Sequence, residues 1–183
     1  MESKKISIVN IKDTRSPLLT AVRNTYENSF PEVERRDFPL LMEILSSNER
    51  FHVLALMLQD YQYVGFLTYW DFDSFIYAEH FAIEAEKRCG GIGGHCLSRF
   101  LEHVAKPVVL EVEMPTNDFS RRRIGFYERL GFTLDSHYYI QPPYHDGGES
   151  LELQLMTYNY PLTDELFESV KRILYREVYK VKD

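Results

Sequence analysis

Arg88-Cys89-Gly90-Gly91-Ile92-Gly93-Gly94 is the stretch on which the reading of this chain turns. Strand-like residues, Phe75-Ile-Tyr-Ala-Glu-His-Phe-Ala-Ile83, lead into it, and an amphipathic helix over residues 92–105 leads out. Strand, glycine turn and helix start together make an anion-binding backbone. The first N–H groups of a helix lack intrahelical partners and carry the positive end of its dipole. Glycines let an anion come close because no Cβ stands in the way. Arg88 adds a positive charge at the mouth. The turn is read as a phosphate grip, and the question is which phosphate.

Composition narrows the answer. A chain of 183 residues with 44% hydrophobic residues can bury one full core, so a single domain is expected over residues 1–183. Thirteen Tyr and twelve Phe favour strands and aromatic-lined pockets. The net charge of −7 argues against general binding to nucleic acid or to an anionic membrane, both of which need a basic surface. Positive clusters are the more telling for that, and there are two: Lys87-Arg88 and Arg121-Arg122-Arg123. Two cysteines, Cys89 and Cys96, suggest neither a disulfide framework nor a metal site. No apolar run approaches spanning length. The first residues pass directly into a short strand without a signal-peptide core. A soluble cytoplasmic protein is the expectation.

Outward from the turn, the pattern gives a strand over residues 5–11 and a helix opened by Ser16 and Pro17 and closed by Pro31. A second helix is expected over residues 36–47. Strands at 51–58 and 63–69 form a hairpin about Gln59-Asp60-Tyr61-Gln62, and a third follows at 75–83. A strand at 107–113, a helix at 121–130 ended by Gly131, strands at 132–140 and 151–159, and a last helix at 163–179 complete the chain. This order implies an α/β (α+β) protein, with a mixed, mostly antiparallel sheet and helices on both faces. The core is expected over about 5–160, with the final helix as an addition.

Three phosphate binders compete. A P-loop needs Lys-Ser/Thr after the last glycine, and here His95-Cys96 follows. A dinucleotide fold needs its glycines at the first strand–helix junction, and this turn sits mid-chain. A coenzyme A diphosphate site is the third. A second motif supports it, Arg123-Ile-Gly-Phe-Tyr127-Glu-Arg-Leu-Gly-Phe132. With Arg88, Gly91 and Gly93 in the first motif, and Phe126, Tyr127, Gly131 and Phe132 in the second, the chain resembles the GNAT superfamily of acyl-CoA-dependent N-acyltransferases. In one respect it departs: where family members often carry Asn and Ala, it has Arg121 and Arg123. Those arginines are read either as phosphate contacts or as surface ion pairs.

The resemblance implies transfer of an acetyl group from acetyl-CoA to an amine by direct attack in a ternary complex. The cofactor contacts it implies are Phe81, Ala82 and Ile83, whose backbone follows the pantetheine arm and supplies an oxyanion donor, and Arg88, Cys89, Gly90, Gly91, Ile92, Gly93 and Gly94 at the diphosphate, with Arg123 beside them. Tyr127 stands at the family's position for protonating the leaving thiolate. Glu79, on the strand before the turn, is the candidate base, because an alkyl ammonium with a pKa of about 10.4 must lose a proton before it attacks. Strand alternation puts His80 on the opposite face from Glu79 and Phe81. Glu111 and Glu113 are secondary candidates for the base. Cys89 reads as a turn residue and Cys96 as core. Candidate acceptor-lining residues are Phe30, Glu34, Arg35 and Tyr69, with Trp70, Tyr138, Tyr144 and His145. The acceptor is read as a small-molecule amine. Alternatives are a protein or peptide amine, or a non-catalytic acyl-CoA-binding role. The resemblance is compatible with a homodimer, and no metal is implied.

Overall fold

In a computed structural model of the chain, residues 6–58 and 61–181 are described. Lys5 of the first expected strand and Gln59 and Asp60 of the expected hairpin turn lie outside them. The chain divides into two compact units, one of Met1–Glu32 with Arg36–Lys106 and one of Val33–Arg35 with Pro107–Asp183.

The first unit contains β1 (Ile6–Ile11), α1 (Leu18–Ser29), α2 (Phe38–Ser47), β2 (Phe51–Leu58), β3 (Tyr63–Asp71), β4 (Ile76–Ile83) and α3 (Ile92–Leu101). Its strands lie in chain order, each antiparallel to the next. Leu19, Val22, Thr25 and Tyr26 recur along one side of α1 and are buried. Tyr26 meets Phe66 of β3 and His80 of β4 edge-on, so α1 covers that face of the strands. On the other face, Ile92 and Cys96 of α3 pack into a cluster with Ile6, Leu56, Val64 and Ile83. With both faces covered, β2 is buried almost throughout rather than alternating. β3 and β4 approach so closely that a Cβ on Gly65 would stand 2.2 Å from the carbonyl oxygen of Ala82.

The second unit contains β5 (Val108–Glu113), α4 (Asp118–Glu128), β6 (Phe132–Leu134), β7 (Tyr139–Gln141), β8 (Leu151–Tyr158) and α5 (Asp164–Ile173), which runs on as a π-turn over Leu174–Val178. β8 pairs antiparallel with β5, and also with β6 and β7 in tandem. The expected single strand at 132–140 is therefore two short ones, parted by Asp135–Tyr138. Helix α4 begins three residues earlier than expected. The Asn117 side chain accepts from the Ser120 N–H, and the Ser120 hydroxyl accepts from the Asn117 N–H, a reciprocal cap. Helix α3 stops short of residue 105. The fold class is as expected: mixed α/β, with mostly antiparallel strands flanked by helices. No described helix is long and apolar enough to cross a membrane.

His137, in the break between β6 and β7, holds the start of α5. Its Nδ1 lies 2.8 Å from Asp135 Oδ1, its Nε2 lies 3.0 Å from Asp164 Oδ1, and its ring stacks on Phe167. The hydrogen bonds to Asp164 and then Asp135 hold its pKa above the ordinary 6.5. A raised folded-state pKa contributes stability that is present below the unfolded value and lost as pH rises through the folded one. His137→Gln is therefore expected to narrow the melting-temperature gap between pH 6 and pH 9. Parallel curves for wild type and variant, or an imidazole that titrates at its ordinary pKa by NMR, would contradict this.

Candidate functional site

In the first unit the site is built on an irregularity of β4. Thr68 pairs with His80 and Tyr69 with Ala78, so Glu79 is an extra residue between two ladder pairs, a β-bulge. Strand alternation predicted opposite faces for Glu79 and His80. The bulge removes that alternation. Glu79 reaches Arg36 and Trp70, and His80 packs on Tyr26 and Phe30, all on the face covered by α1. Phe81 points the other way, against the cluster that holds Ile92 and Cys96.

The Arg36 guanidinium donates to one Glu79 carboxylate oxygen, and Trp70 Nε1–H donates to the other at 2.9 Å. The side chains of Arg36 and Glu79 are 4% and 0% exposed, so this ion pair is fully desolvated. Arg36 is fixed by its backbone as well. Its N–H donates to the Tyr26 hydroxyl at 3.0 Å, and that hydroxyl donates to its carbonyl at 3.1 Å. Burial by itself would raise the Glu79 carboxyl. The Arg36 charge, with His80 and the two hydrogen bonds, carries it below the ordinary carboxylate value.

Beyond Ile83 lies the glycine turn. Gly90 and Gly91 both have positive φ, 64° and 72°, the left-handed region that suits glycine. Gly91 is the N-cap of α3 and has no side chain to satisfy the first N–H groups of the helix. The first intrahelical bond runs from the His95 N–H to the Gly91 carbonyl at 3.1 Å. The amides of Ile92, Gly93 and Gly94 thus precede the helical ladder, at its positive end. Gly90, Gly91 and Cys89 are exposed. Arg88 is turned back along the chain, with Nε–H donating to the Ile83 carbonyl at 2.8 Å and Nη2 to Ser29 Oγ at 3.1 Å. It therefore braces the turn against the ends of β4 and α1. Lys87 is likewise directed to the Tyr63 carbonyl and to Glu84. Burial pushes the Cys96 thiol up to about 12, in keeping with a core residue.

In the second unit, Tyr127 is half-buried on α4 and meets Phe126 and Phe132 edge-on. Burial raises its phenol above the ordinary 10.0, with the Arg123 charge opposing, so the proton is retained across the neutral range. Arg123 lies 3.6 Å from Glu113 and covers the Phe119 ring at 4.8 Å. Arg121 donates to Asp118 and to the Pro115 carbonyl. Burial, then the nearby Glu113 charge, raises the Glu34 carboxyl, with Arg123 opposing. His145 Nε2 meets the Arg35 carbonyl at 2.9 Å.

Glu111, a secondary candidate for the base in the sequence, is the centre of a hydrogen-bond network whose members the sequence did not connect. It accepts from the Tyr139 hydroxyl, the Gln141 amide and, at 2.7 Å, the Tyr179 hydroxyl. The i, i+2 spacing of Tyr139 and Gln141 on one strand was a readable signal for a shared face. Nothing local marks Tyr179 as their partner. Arg36 was missed for the same reason, since Glu79 lies 43 positions away.

The Acetyltransferase (GNAT) family model matches residues 19–132. A protein from Bacteroides thetaiotaomicron assigned to the GNAT acetyltransferases is 36% identical, over 96% of this chain and 99% of that one, with a TM-score of 0.91. A spermidine N-acetyltransferase variant from Vibrio cholerae shares the fold at 12% identity and a TM-score of 0.63, over 83% of this chain and 92% of that one. A GNAT family acetyltransferase from Elizabethkingia anophelis, with acetyl-CoA bound, does so at 15% identity and a TM-score of 0.57, over 85% and 98%. No curated protein matches.

Removing one member of a buried ion pair strands the other, at a cost of about 3–5 kcal/mol. Glu79→Ala should lose stability on that scale in chemical denaturation, whereas Arg36→Met/Glu79→Leu together should lose much less. A Glu79→Ala protein as stable as wild type would show that the pair is not desolvated in solution.

Proposed function

The chain belongs to the GNAT family of acetyltransferases, and on that premise we propose that it transfers an acetyl group from acetyl-CoA to a primary amine of a small molecule. The observation that carries the reading is the glycine turn. Its N-cap has no side chain, its two glycines are left-handed, and the amides of Ile92, Gly93 and Gly94 stand ahead of the helical ladder. Those amides fit a diphosphate, which needs several convergent N–H donors at a positive helix end. The donor substrate supplies an activated thioester. The chain supplies position, a proton and a place for developing charge.

In this reading Cys89 and Gly90 shape the turn, and Arg88 holds it against the end of β4. The backbone of Phe81, Ala82 and Ile83 carries the pantetheine arm. Arg123, tethered to Glu113, is assigned to the phosphates. Tyr127, protonated at neutral pH, gives its phenolic proton to the departing sulfur. Glu79 is assigned a positioning role, because a carboxylate held low by Arg36 has little drive to take an ammonium proton; that proton passes to solvent water before the neutral amine attacks. Its ionised form keeps Arg36 and Trp70 in place. The acceptor is a cationic amine. The net charge of −7 favours a cation over an anionic acceptor.

The diphosphate grip is tested by thermal shift. Acetyl-CoA should raise the melting temperature by mass action, while acetyl-pantetheine, which lacks the diphosphate, should not at equal concentration. Tyr127→Phe should keep that shift and lower kcat for amine acetylation by about 100-fold or more, the usual scale for a lost general acid. Equal shifts with the two donors would remove the turn from the reading, and an unaffected kcat would remove Tyr127.

A further inference from the structure

One side of the closing helix carries Glu168, Lys171, Arg172, Tyr175 and Arg176. They recur at i, i+3, i+4, i+7 and i+8, the spacing that makes side chains neighbours along a helix surface. The buried stripe of the same segment is Phe167, Val170, Leu174 and Val178. Past these residues the chain turns back. The π-turn is closed by a bond from the Tyr179 N–H to the Leu174 carbonyl, five residues back, at 3.1 Å. Lys180 takes a left-handed φ of 55°, and the Val181 N–H bonds the Tyr175 carbonyl at 2.9 Å. A left-handed residue just past the last turn is a common helix ending. Here it returns Val181 to the polar stripe, and together they line a cavity of about 220 Å³.

The lining is cationic in an acidic protein. Of its six residues, Lys171, Arg172 and Arg176 are positive and Glu168 alone is negative, against a net charge of −7 for the chain. Lys171 Nζ lies 3.7 Å from Glu168, beyond hydrogen-bond reach, and stands over the Phe167 and Tyr175 rings at 5.8 and 6.0 Å. Its ammonium is placed by the rings and keeps hydrogens to donate. Arg176 gives its Nε–H to Glu177 at 2.8 Å. Arg172 has no hydrogen bond or ion pair with any described residue. The Tyr175 hydroxyl donates to the Ile140 carbonyl, which fixes its ring as a wall. Cations in the last turn of a helix suit its negative end, and that accounts for the signs of Lys171 and Arg172. It does not account for their convergence, with Arg176, on one cavity beside the helix.

We propose that this cavity binds a compact polyanion, with Arg172 as its principal contact and Lys171 and Arg176 beside it. Guanidinium forks pair with carboxylate or phosphate oxygens two at a time, and an ammonium adds a point charge. Pockets for drug-sized ligands run from roughly 300 to 1,000 Å³, so the smaller volume here selects a ligand of few atoms. None of the six residues has been assigned to donor or acceptor binding, so occupancy of the cavity is independent of the proposed acetyl transfer.

The test is isothermal titration of the full chain with citrate and, separately, with pyrophosphate, at low ionic strength because salt screens exposed charges. At least one probe should bind with a Kd of about 1 mM or tighter. Arg172→Gln should weaken that binding about tenfold, the scale of a lost hydrogen bond to a charge, and Arg172→Glu should abolish it. Arg99→Gln removes an exposed cation of α3 outside the cavity and should leave binding unchanged. Arg172 and Arg99 are both exposed, so the variants should melt close to wild type without a probe. Pyrophosphate also suits the glycine turn, and binding there survives Arg172→Glu. Citrate binding lost in Arg172→Glu assigns the cavity to carboxylates, pyrophosphate binding lost assigns it to phosphates, and either upholds the site. Affinity weaker than this with both probes, or affinity that Arg172→Glu leaves intact with both, overturns it. An equal loss in Arg99→Gln also overturns it, because the effect is then one of net charge.

Discussion

A carboxylate with no exposed surface has to be matched, and the pairing of Glu79 with Arg36 is the constraint on which the first unit depends. The match sets the course of the backbone. β4 takes an extra residue at position 79, which puts Glu79 and His80 on one face, and α2 opens immediately after Arg36. The Tyr26 hydroxyl then ties the Arg36 backbone to α1. One ion pair thereby links the bulge, both helices of that face and the indole of Trp70. After the bulge, β4 returns to regular pairing in a fixed register, and it is that register that delivers Ile83 and the glycine turn to their place.

The glycine turn is shaped by the opposite circumstance. It has little to bury, and its exposed backbone is held from behind. Arg88 bonds the end of β4 and a serine of α1, and Ile92 and Cys96 anchor the first turn of α3 in the core. Rigidity is supplied from below while the amides remain outside. That is how a backbone can hold a charged group without first rearranging, and it places the arginine of the motif as a brace where the sequence suggested a charge at the mouth.

The fold was largely legible because its signals are local. Alternating and continuous apolar runs gave the strands, Pro17 and Gly131 gave helix limits, and two short motifs gave the family. What escaped reading was non-local. The bulge at Glu79 leaves no mark in Ala78-Glu79-His80, since it exists only relative to Thr68 and Tyr69 on the neighbouring strand. The partners of Glu79 and Glu111 come from residues 36 and 179, and no periodicity connects such distant positions. The start of α4 was misplaced because Asn117 caps it through Ser120, ahead of the arginine run that drew attention. The break between β6 and β7 was missed because residues 132–140 are rich in strand formers, while His137 is engaged with Asp135 and Asp164.

The closing helix shows how one polypeptide element can answer to two masters. Its first ten residues are indexed to the sheet by Phe167 and Val170. An ordinary helix would then have no freedom left, because each added residue turns its successor by a fixed angle of about 100°. The surplus residue in the last turn uncouples the two ends, so the azimuth of Tyr179 is set apart from that of Phe167. Such a helix behaves as a shaft with an offset key: anchorage at one end and aim at the other can be altered separately, each by changes that leave its counterpart undisturbed.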